Sequence, residues 1–490
     1  MKSLFLRLLG YPPIGRFALK MMKKKVLKPF QIPLSEVVEK QERMLEEKFR
    51  RMEGTEIGKK LGVRKGISLQ ELTITDYGFY QPFYQNPSPS AFMYPLEQYE
   101  RIKTSGTAGK EKWFLMPRGS IIKSVFETSV PALIISTHDG EKITLEYGDT
   151  LYINTAPRPF VLGTMVSVAS GKSGRFPLVN IVPNLNLSFS DKVKYFIKNH
   201  EKIDAAVVQA SILVSQIMPA IKKRVRLKSI FCPDTIIAEM YFDEIFNFVG
   251  VPPRTTYNST ETLNCTVPSI QHSLGFFFDW RRGFFEFTPL KDEEIKGDET
   301  VTVDEVEVGG IYHVIYTSFE SELTRYATYG AMKCIAKGDD VLGIDCPIFK
   351  FHTRLERNIS LHNFTRISED ELITAFRESG IQFVEFTARK ETESGLEYLA
   401  IYVETMEDLE VDKIQESLHK QLYNRDRDYR DLVDFYGYVP LKVHLVPKGV
   451  FAKYLINKVA AMSKVARIKM PEEEFKKFIQ LVENIDVDRT

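Results

Sequence analysis

The sequence of 490 residues is poor in cysteine, with four in all: Cys232, Cys265, Cys334 and Cys346, none in a Cys-x-x-Cys spacing. That excludes a paired-cysteine zinc module and a disulfide framework. Long apolar runs are missing as well, since nothing approaches the roughly 18 uninterrupted apolar residues of a spanning helix. The first short run, Leu4-Phe5-Leu6, is broken by Arg7 and followed by Gly10 and Pro12-Pro13, too short for a secretory h-region and without an evident cleavage site. A cytoplasmic protein is expected. Nor is there an excess of one charge: 66 Lys and Arg against 65 Asp and Glu leave a net charge of +1. This removes the bulk electrostatic case for a nucleic-acid partner. Global disorder is excluded by 43% hydrophobic and 12% aromatic residues, enough for a large buried core.

What charge there is lies unevenly. Residues 1–30 carry eight Lys or Arg and no acid. Ile14, Phe17, Ala18, Met21 and Met22 follow helical spacing, with Arg16, Lys20, Lys23 and Lys24 off the stripe and Pro29 as the expected stop. Such a basic amphipathic helix over 1–33 has two fates, docking on its own body or adsorption to an anionic membrane surface. A second amphipathic helix is expected over Ser35–Met52, with Val37, Gln41, Met44, Leu45, Lys48 and Phe49 on one side.

Beyond it, short apolar runs alternate with helical stretches. Leu145–Ile153, Gly310–Thr317 and Pro347–His352 read as strands and Ala205–Ile221 as a helix, which argues an α/β domain over 34–365. From about 366 to 490 the cycle shortens. Helix Ser368–Glu378, strands Gln382–Ala388 and Glu397–Val403, helix Val411–Tyr423 and strand Leu441–Leu445 make a small α+β domain.

The strongest local signal is Thr104-Ser105-Gly106-Thr107-Ala108-Gly109-Lys110-Glu111-Lys112, which follows an apparent strand. Two glycines let backbone amides approach a polyphosphate, three hydroxyls add hydrogen bonds, and two lysines supply charge. The Walker A spacing is absent. An ordinary Ser/Gly/Lys turn is the bland alternative.

This loop resembles the signature phosphate loop of the adenylate-forming enzymes, the superfamily of acyl-CoA and peptide synthetases. Tyr257-Asn258-Ser259-Thr260-Glu261, about 150 residues later, resembles their Tyr-Gly-Ser-Thr-Glu segment, with Asn258 at the glycine. Within the superfamily the sequence is most similar to the Gretchen Hagen, auxin-responsive, acyl-acid amido synthetases. Gly449-Val450-Phe451 through Lys469-Met470-Pro471 resembles that family's C-terminal Gly-x-Phe to Tyr-Lys-x-Pro segment without a gap. Tyr423-Asn424, Tyr429 and Pro440–Val443 fit its preceding stretch, Gly58–Gly62 and Asp76-Tyr77 its N-terminal region, and Pro347, Phe349, Phe351 and Arg354 its hinge-proximal strand.

The resemblance implies an α/β N-terminal body, a small C-terminal lid, and an ATP- and Mg²⁺-dependent ligase. A carboxylic acid would become an acyl-adenylate, and an amine, or a thiol in the phenylacetate–CoA ligase branch, would displace AMP. It implies that Thr104, Ser105, Gly106, Thr107, Gly109, Lys110 and Lys112 bind the phosphates. Tyr257 would lie by the adenine, Ser259 and Thr260 by phosphate, Glu261 on Mg²⁺, and Arg354 on ribose or phosphate. Lys469, on the lid, would neutralise the attacking carboxylate and α-phosphate. An acid pocket is expected along 207–219, where Val208, Ile212, Leu213 and Ile217 read equally well as core. One departure stands out. The family's ribose-binding Asp, in Tyr-Arg-x-Gly-Asp, falls at Gly330 of Leu323–Gly330, with Asp339-Asp340 in a turn beyond. A non-catalytic binder of nucleotide, acyl-adenylate or lipid is therefore a third reading.

Overall fold

A helix, α1 (Pro12–Lys25), opens the described chain and a longer one, α2 (Leu34–Met52), follows it. The computed structural model describes residues 10–104, 112–170, 177–233, 235–291, 294–295, 299–355, 358–362, 364–456 and 465–487. Helix α2 buries Val37, Gln41, Leu45, Lys48, Phe49 and Met52, close to the stripe expected. Its buried cation has a purpose. Lys48 Nζ donates to the carbonyls of Ser318, Ser321 and Leu323 at 2.7, 2.8 and 2.7 Å, stapling a turn of the main sheet.

Strands β1 (Tyr99–Lys103) and β2 (Trp113–Pro117) form an antiparallel hairpin in which Lys103 faces Trp113. The next four, β3 (Thr150–Ile153), β4 (Asn180–Val182), β5 (Ala205–Val207) and β6 (Ser229–Phe231), make a parallel sheet in the order β4-β3-β5-β6. Helical crossovers such as Val161–Ser170 and Phe189–Asn199 connect them, as parallel pairing requires. Two expectations change here. Ala205–Ile221 begins as the three-residue strand β5 and turns helical only at Ala210, because a strand buried on both faces shows no alternation to betray it. The Leu145–Ile153 run is a strand only from Thr150, since Asp149 first closes a turn by accepting from the Glu146 amide at 2.7 Å.

A short hairpin, β7 (Asn258–Ser259) and β8 (Leu263–Asn264), leads into a seven-stranded antiparallel sheet. Its members are β9 (Thr266–Pro268), β10 (Phe276–Phe278), β11 (Gly283–Lys291), β12 (Glu294–Ile295), β13 (Ile311–Ser318), β14 (Tyr326–Ala336) and β15 (Ile348–Arg354), in the order β12-β11-β13-β14-β15-β10-β9. Phenylalanines hold it: Phe287 stacks on Phe349 with centroids 4.9 Å apart, and Phe278 lies 4.5 Å from Phe285. Each such pair adds to the area it buries.

Among the described residues the first compact unit runs to Leu355 and the second takes up the chain after it. The second holds the hairpin β16 (Asn358–Leu361) and β17 (Thr365–Ser368), then β18 (Phe383–Glu393), β19 (Leu396–Thr405) and β20 (Leu441–Leu445) in one sheet. β18 and β19 are antiparallel and β19 and β20 parallel. Helices Glu369–Ser379 and Val411–Arg425 cover this sheet, burying Leu372, Phe376, Ile414 and Leu418 against Phe386 and Leu399. Ser368 and Glu371 form the capping box that starts the first of them.

Helix α1 also departs from expectation. It ends at Lys25, four residues before Pro29, and the face it buries is Gly15 and Leu19, continued by Val26 and Phe30. Ile14 and Phe17, read as the apolar stripe, face outward. None of the described helices is long and apolar enough to cross a membrane.

Candidate active site

The β1–β2 hairpin carries the two ends of the Thr104–Lys112 segment. Its two ends are tied where Thr104 N donates to Lys112 O at 3.0 Å. Ser105, Gly106, Thr107, Gly109 and Lys110 lie between these ends, outside the described residues. The exit is clamped by Tyr77, whose hydroxyl accepts from Trp113 N at 3.1 Å, while Lys112 Nζ lies 5.5 Å from the Tyr77 ring centroid. Asp76 caps the helix that carries Tyr77, accepting from Phe79 N at 3.2 Å.

The pentapeptide Tyr257–Glu261 runs into the β7–β8 turn. Tyr257, Ser259 and Thr260 are buried, Glu261 is half-buried in the turn, and Asn258, at the family's glycine, is exposed. The segment is fixed at both sides. Tyr257 N donates to Thr266 Oγ1 at 2.7 Å, and Ser259 Oγ pairs with Thr262 Oγ1 at 2.9 Å. From outside, Ser124 Oγ bridges Asn264, donating to its carbonyl at 2.9 Å and accepting from its amide at 3.1 Å. Ser124 opens a π-type stretch of helix over Ser124–Ser129, a device common at functional positions.

Strand β14 meets this hairpin at Gly330. A Cβ placed there would stand 3.0 Å from the Tyr257 hydroxyl oxygen and 3.1 Å from Met332 Cε. Across the ladder Gly330 faces Arg354, and the next residue, Leu355, donates its amide to Tyr329 O at 2.8 Å. Tyr257, Gly330 and the backbone of Arg354 are thus brought together; the Arg354 side chain lies outside the described ones. Beside Gly330, Tyr329 has a left-handed backbone (φ 54°) and donates its amide to His313 Nε2 at 3.1 Å. Burial pushes the His313 imidazole down to about 4, so the ring is the neutral acceptor this bond needs.

Asp339 does not stand in for the missing ribose carboxylate. It is wholly buried and accepts from Ser269 Oγ, Ile270 N, Gln271 N and Leu342 N at 2.6–3.1 Å. Its lone pairs hold the loop after β9. Val208, Ile212, Leu213 and Ile217 are fully buried. One residue without a motif to announce it lies nearby. Asn154, 3% exposed, follows β3 at the carboxyl edge of the parallel sheet, with its amide donating to Val207 O at 2.9 Å. Among the described residues neither side-chain amide atom of Asn154 has a hydrogen-bond partner. The carboxyl edge is where open α/β sheets take ligands, and an unsatisfied buried amide there is a candidate ligand contact.

Lys469 belongs to the second unit and is exposed. Its backbone is pinned to β18: Ala388 N donates to Arg467 O at 2.8 Å and Lys469 N to Ala388 O at 3.1 Å. Arg467 Nε donates to Glu385 Oε1 at 2.5 Å, with Phe386 under its guanidinium. A left-handed φ of 52° follows at Lys469 itself. An exposed lysine thus sits on a left-handed backbone whose flanks are tied to β18.

Residues 276–354, the strands from β10 to β15, match the family model of the GH3 family central domain. Among curated proteins none matches. Among solved structures, a 2-hydroxyisobutyryl-CoA ligase in complex with 2-HIB-AMP and CoA aligns at TM-score 0.61 and 14% identity, over 93% of this chain and 94% of that one. A GH3.15 acyl acid amido synthetase aligns at TM-score 0.50 and 14% identity, over 92% and 93%. At these identities the likeness is one of fold. The fold is that of these ligases, and the likeness to the GH3 family is carried by the central strands, residues 276–354.

Proposed function

We propose that this protein is an ATP-dependent ligase that activates a carboxylic acid as its acyl-adenylate and passes the acyl group to an amine. The supporting observation is the approach of Tyr257 to Gly330, which faces Arg354 across strands that match the GH3 family central domain. In the first step the carboxylate oxygen attacks the α-phosphorus of ATP, and the bond to pyrophosphate breaks. In the second an amine attacks the acyl carbon, AMP leaves with the bonding pair, and the amine proton goes to solvent. The protein's share is positioning and charge. Thr104 to Lys112 would cradle the β- and γ-phosphates, Tyr257 the adenine, Ser259 and Thr260 a phosphate oxygen, and Arg354 the ribose or phosphate. Lys469 would offset the charge of the attacking carboxylate and the α-phosphate.

Magnesium fits as a passenger of ATP rather than as a caged ion. Among the described residues no group of three or more His, Cys, Asp or Glu could hold a metal, and Glu261 is a single half-buried carboxylate. Mg²⁺ suits one carboxylate plus phosphates and water. Bound there it would neutralise phosphate charge.

Carboxylate-dependent ATP–pyrophosphate exchange across a panel of acids tests the reading. Exchange is expected with at least one acid, and Lys469→Ala should abolish it while ATP binding stays within about threefold, since the loss falls on the transition state. No exchange with any acid, together with no stabilisation by ATP, sinks the ligase reading and leaves a non-catalytic binder. A thioester product is the second reading, favoured by the TM-score of 0.61 to a CoA ligase. Offering coenzyme A against a mixture of amino acids to the pre-formed adenylate separates the two.

A further inference from the structure

Helix α1 has two apolar faces, and among the described residues one is packed and the other is exposed. Gly15, Leu19 and Val26 are buried in the body. Phe30 continues that contact, 5.3 Å from Phe277, and Trp280 Nε1 donates to Pro29 O at 2.9 Å. The helix is thereby held in one rotational setting. On the other side Tyr11, Ile14 and Phe17 are 60%, 39% and 66% exposed. At about 100° per residue, Ile14, Phe17 and Met21 form an outward stripe, with Lys20 and Lys24 along one border and Lys25 along the other.

Beside this stripe lies a concavity of about 280 Å³, lined by Lys20, Lys23, Lys24, Leu27, His138 and Ile143. No carboxylate lines it, and among the described residues none of the three lysines has an ion-pair partner. Asp139, next to the lining residue His138, is turned to its own loop, accepting from the amides of Glu141 and Lys142 at 2.9 Å. His138 Nδ1 accepts from Gly140 N at 3.1 Å, which leaves Nε2 as the protonated, donating nitrogen. Three unpaired ammonium groups around one hollow attract a phosphate-type anion. An apolar stripe at its lip excludes a freely dissolved one as the best occupant, because a dissolved anion does nothing for Phe17.

We propose that α1 seats the protein on an anionic phospholipid bilayer. Ile14, Phe17 and Met21 enter the headgroup layer, and Lys20, Lys23 and Lys24 take a lipid phosphate. Exposed aromatics with a cationic border are the chemistry of interfacial helices, and each surface lysine strengthens adsorption about fivefold. The inference does not depend on the ligase reading.

Flotation of the full chain with phosphatidylcholine vesicles, with and without phosphatidylglycerol, tests it. Binding should need phosphatidylglycerol. Ile14→Ser/Phe17→Ser should weaken it about tenfold or more, and Lys20→Gln/Lys23→Gln/Lys24→Gln by about a hundredfold. These side chains lie outside the core, so circular dichroism and melting temperature should not move. The proposal is overturned by equal binding to both vesicle types, or by binding that neither variant reduces. It is overturned too if inorganic phosphate stabilises the chain while vesicles do not bind. Concentration-dependent dimerisation that Phe17→Ser abolishes would assign the stripe to a second copy instead.

Discussion

Gly330→Asp puts a carboxylate where the family has one and this chain does not. The backbone accepts it, because Gly330 is not in the left-handed region; the neighbouring Tyr329 carries that turn with φ 54°. The new Cβ would press on the Tyr257 hydroxyl at 3.0 Å and on Met332 Cε at 3.1 Å. Both are ends of side chains that yield, at a cost of about 1 kcal/mol for mild overpacking. Against this, a charge-assisted hydrogen bond to a ribose hydroxyl contributes about 1.5–3 kcal/mol. The net is about 0.5–2 kcal/mol, or roughly two- to thirtyfold tighter ATP binding. Isothermal titration calorimetry with ATP and with 2′,3′-dideoxy-ATP measures it. The gain should appear only with ATP, and Gly330→Ala, which has the contact without the carboxylate, should show none. An unchanged affinity in a folded Gly330→Asp protein, or an equal gain with the dideoxy nucleotide, refutes the placement of ribose at this strand.

Two further substitutions probe what holds the site. Asp339→Ala strips the acceptor from four donors, three of them backbone amides, and from the neighbourhood of the buried Arg254. Urea unfolding should show a loss of about 4 kcal/mol, and a loss below about 1 kcal/mol would contradict the assigned role. His313 titrates in the folded chain at about 4 against an ordinary 6.5. The unfolded chain therefore binds the proton first, so the neutral ring's stabilisation is complete above pH 6.5 and is lost as pH falls toward 4. The full effect is about 3 kcal/mol. His313→Gln, which keeps an acceptor for the Tyr329 amide, should flatten that part of the acid limb, and parallel stability–pH curves for the two proteins would exclude it.

The motifs stand out in the sequence because each is local: the Tyr257–Glu261 turn and the Lys469 segment gather their residues within a few positions, and so does the loop after Thr104, most of which lies outside the described residues. The small second unit was equally readable: Leu441–Leu445 is a strand from end to end as expected, since helix and strand periods alternate there without interruption. Helix α1 shows where such reading stops. Its sequence holds two apolar stripes, and which one docks depends on a body made of residues 250 positions away, Phe277 and Trp280 among them. Gly15 enters the contact by having no side chain, which no hydrophobic pattern records. Lys48 fell on the buried face by spacing, but its three carbonyl partners lie 270 to 275 residues away. Asn154 has no signature at all: its interest comes from a side-chain partner it lacks among the described residues.

Among the described residues the chain passes from the first unit to the second once, after Leu355. The later unit is a continuous stretch with its own apolar centre around Phe386, Leu399 and Leu418. A polypeptide of that topology lends itself to being supplied as two pieces. If both fold, their association becomes a bimolecular step that can be titrated. On the proposed reading, the concentration of one piece that restores half of the exchange activity of the other would report, in molar units, how firmly the two pieces associate.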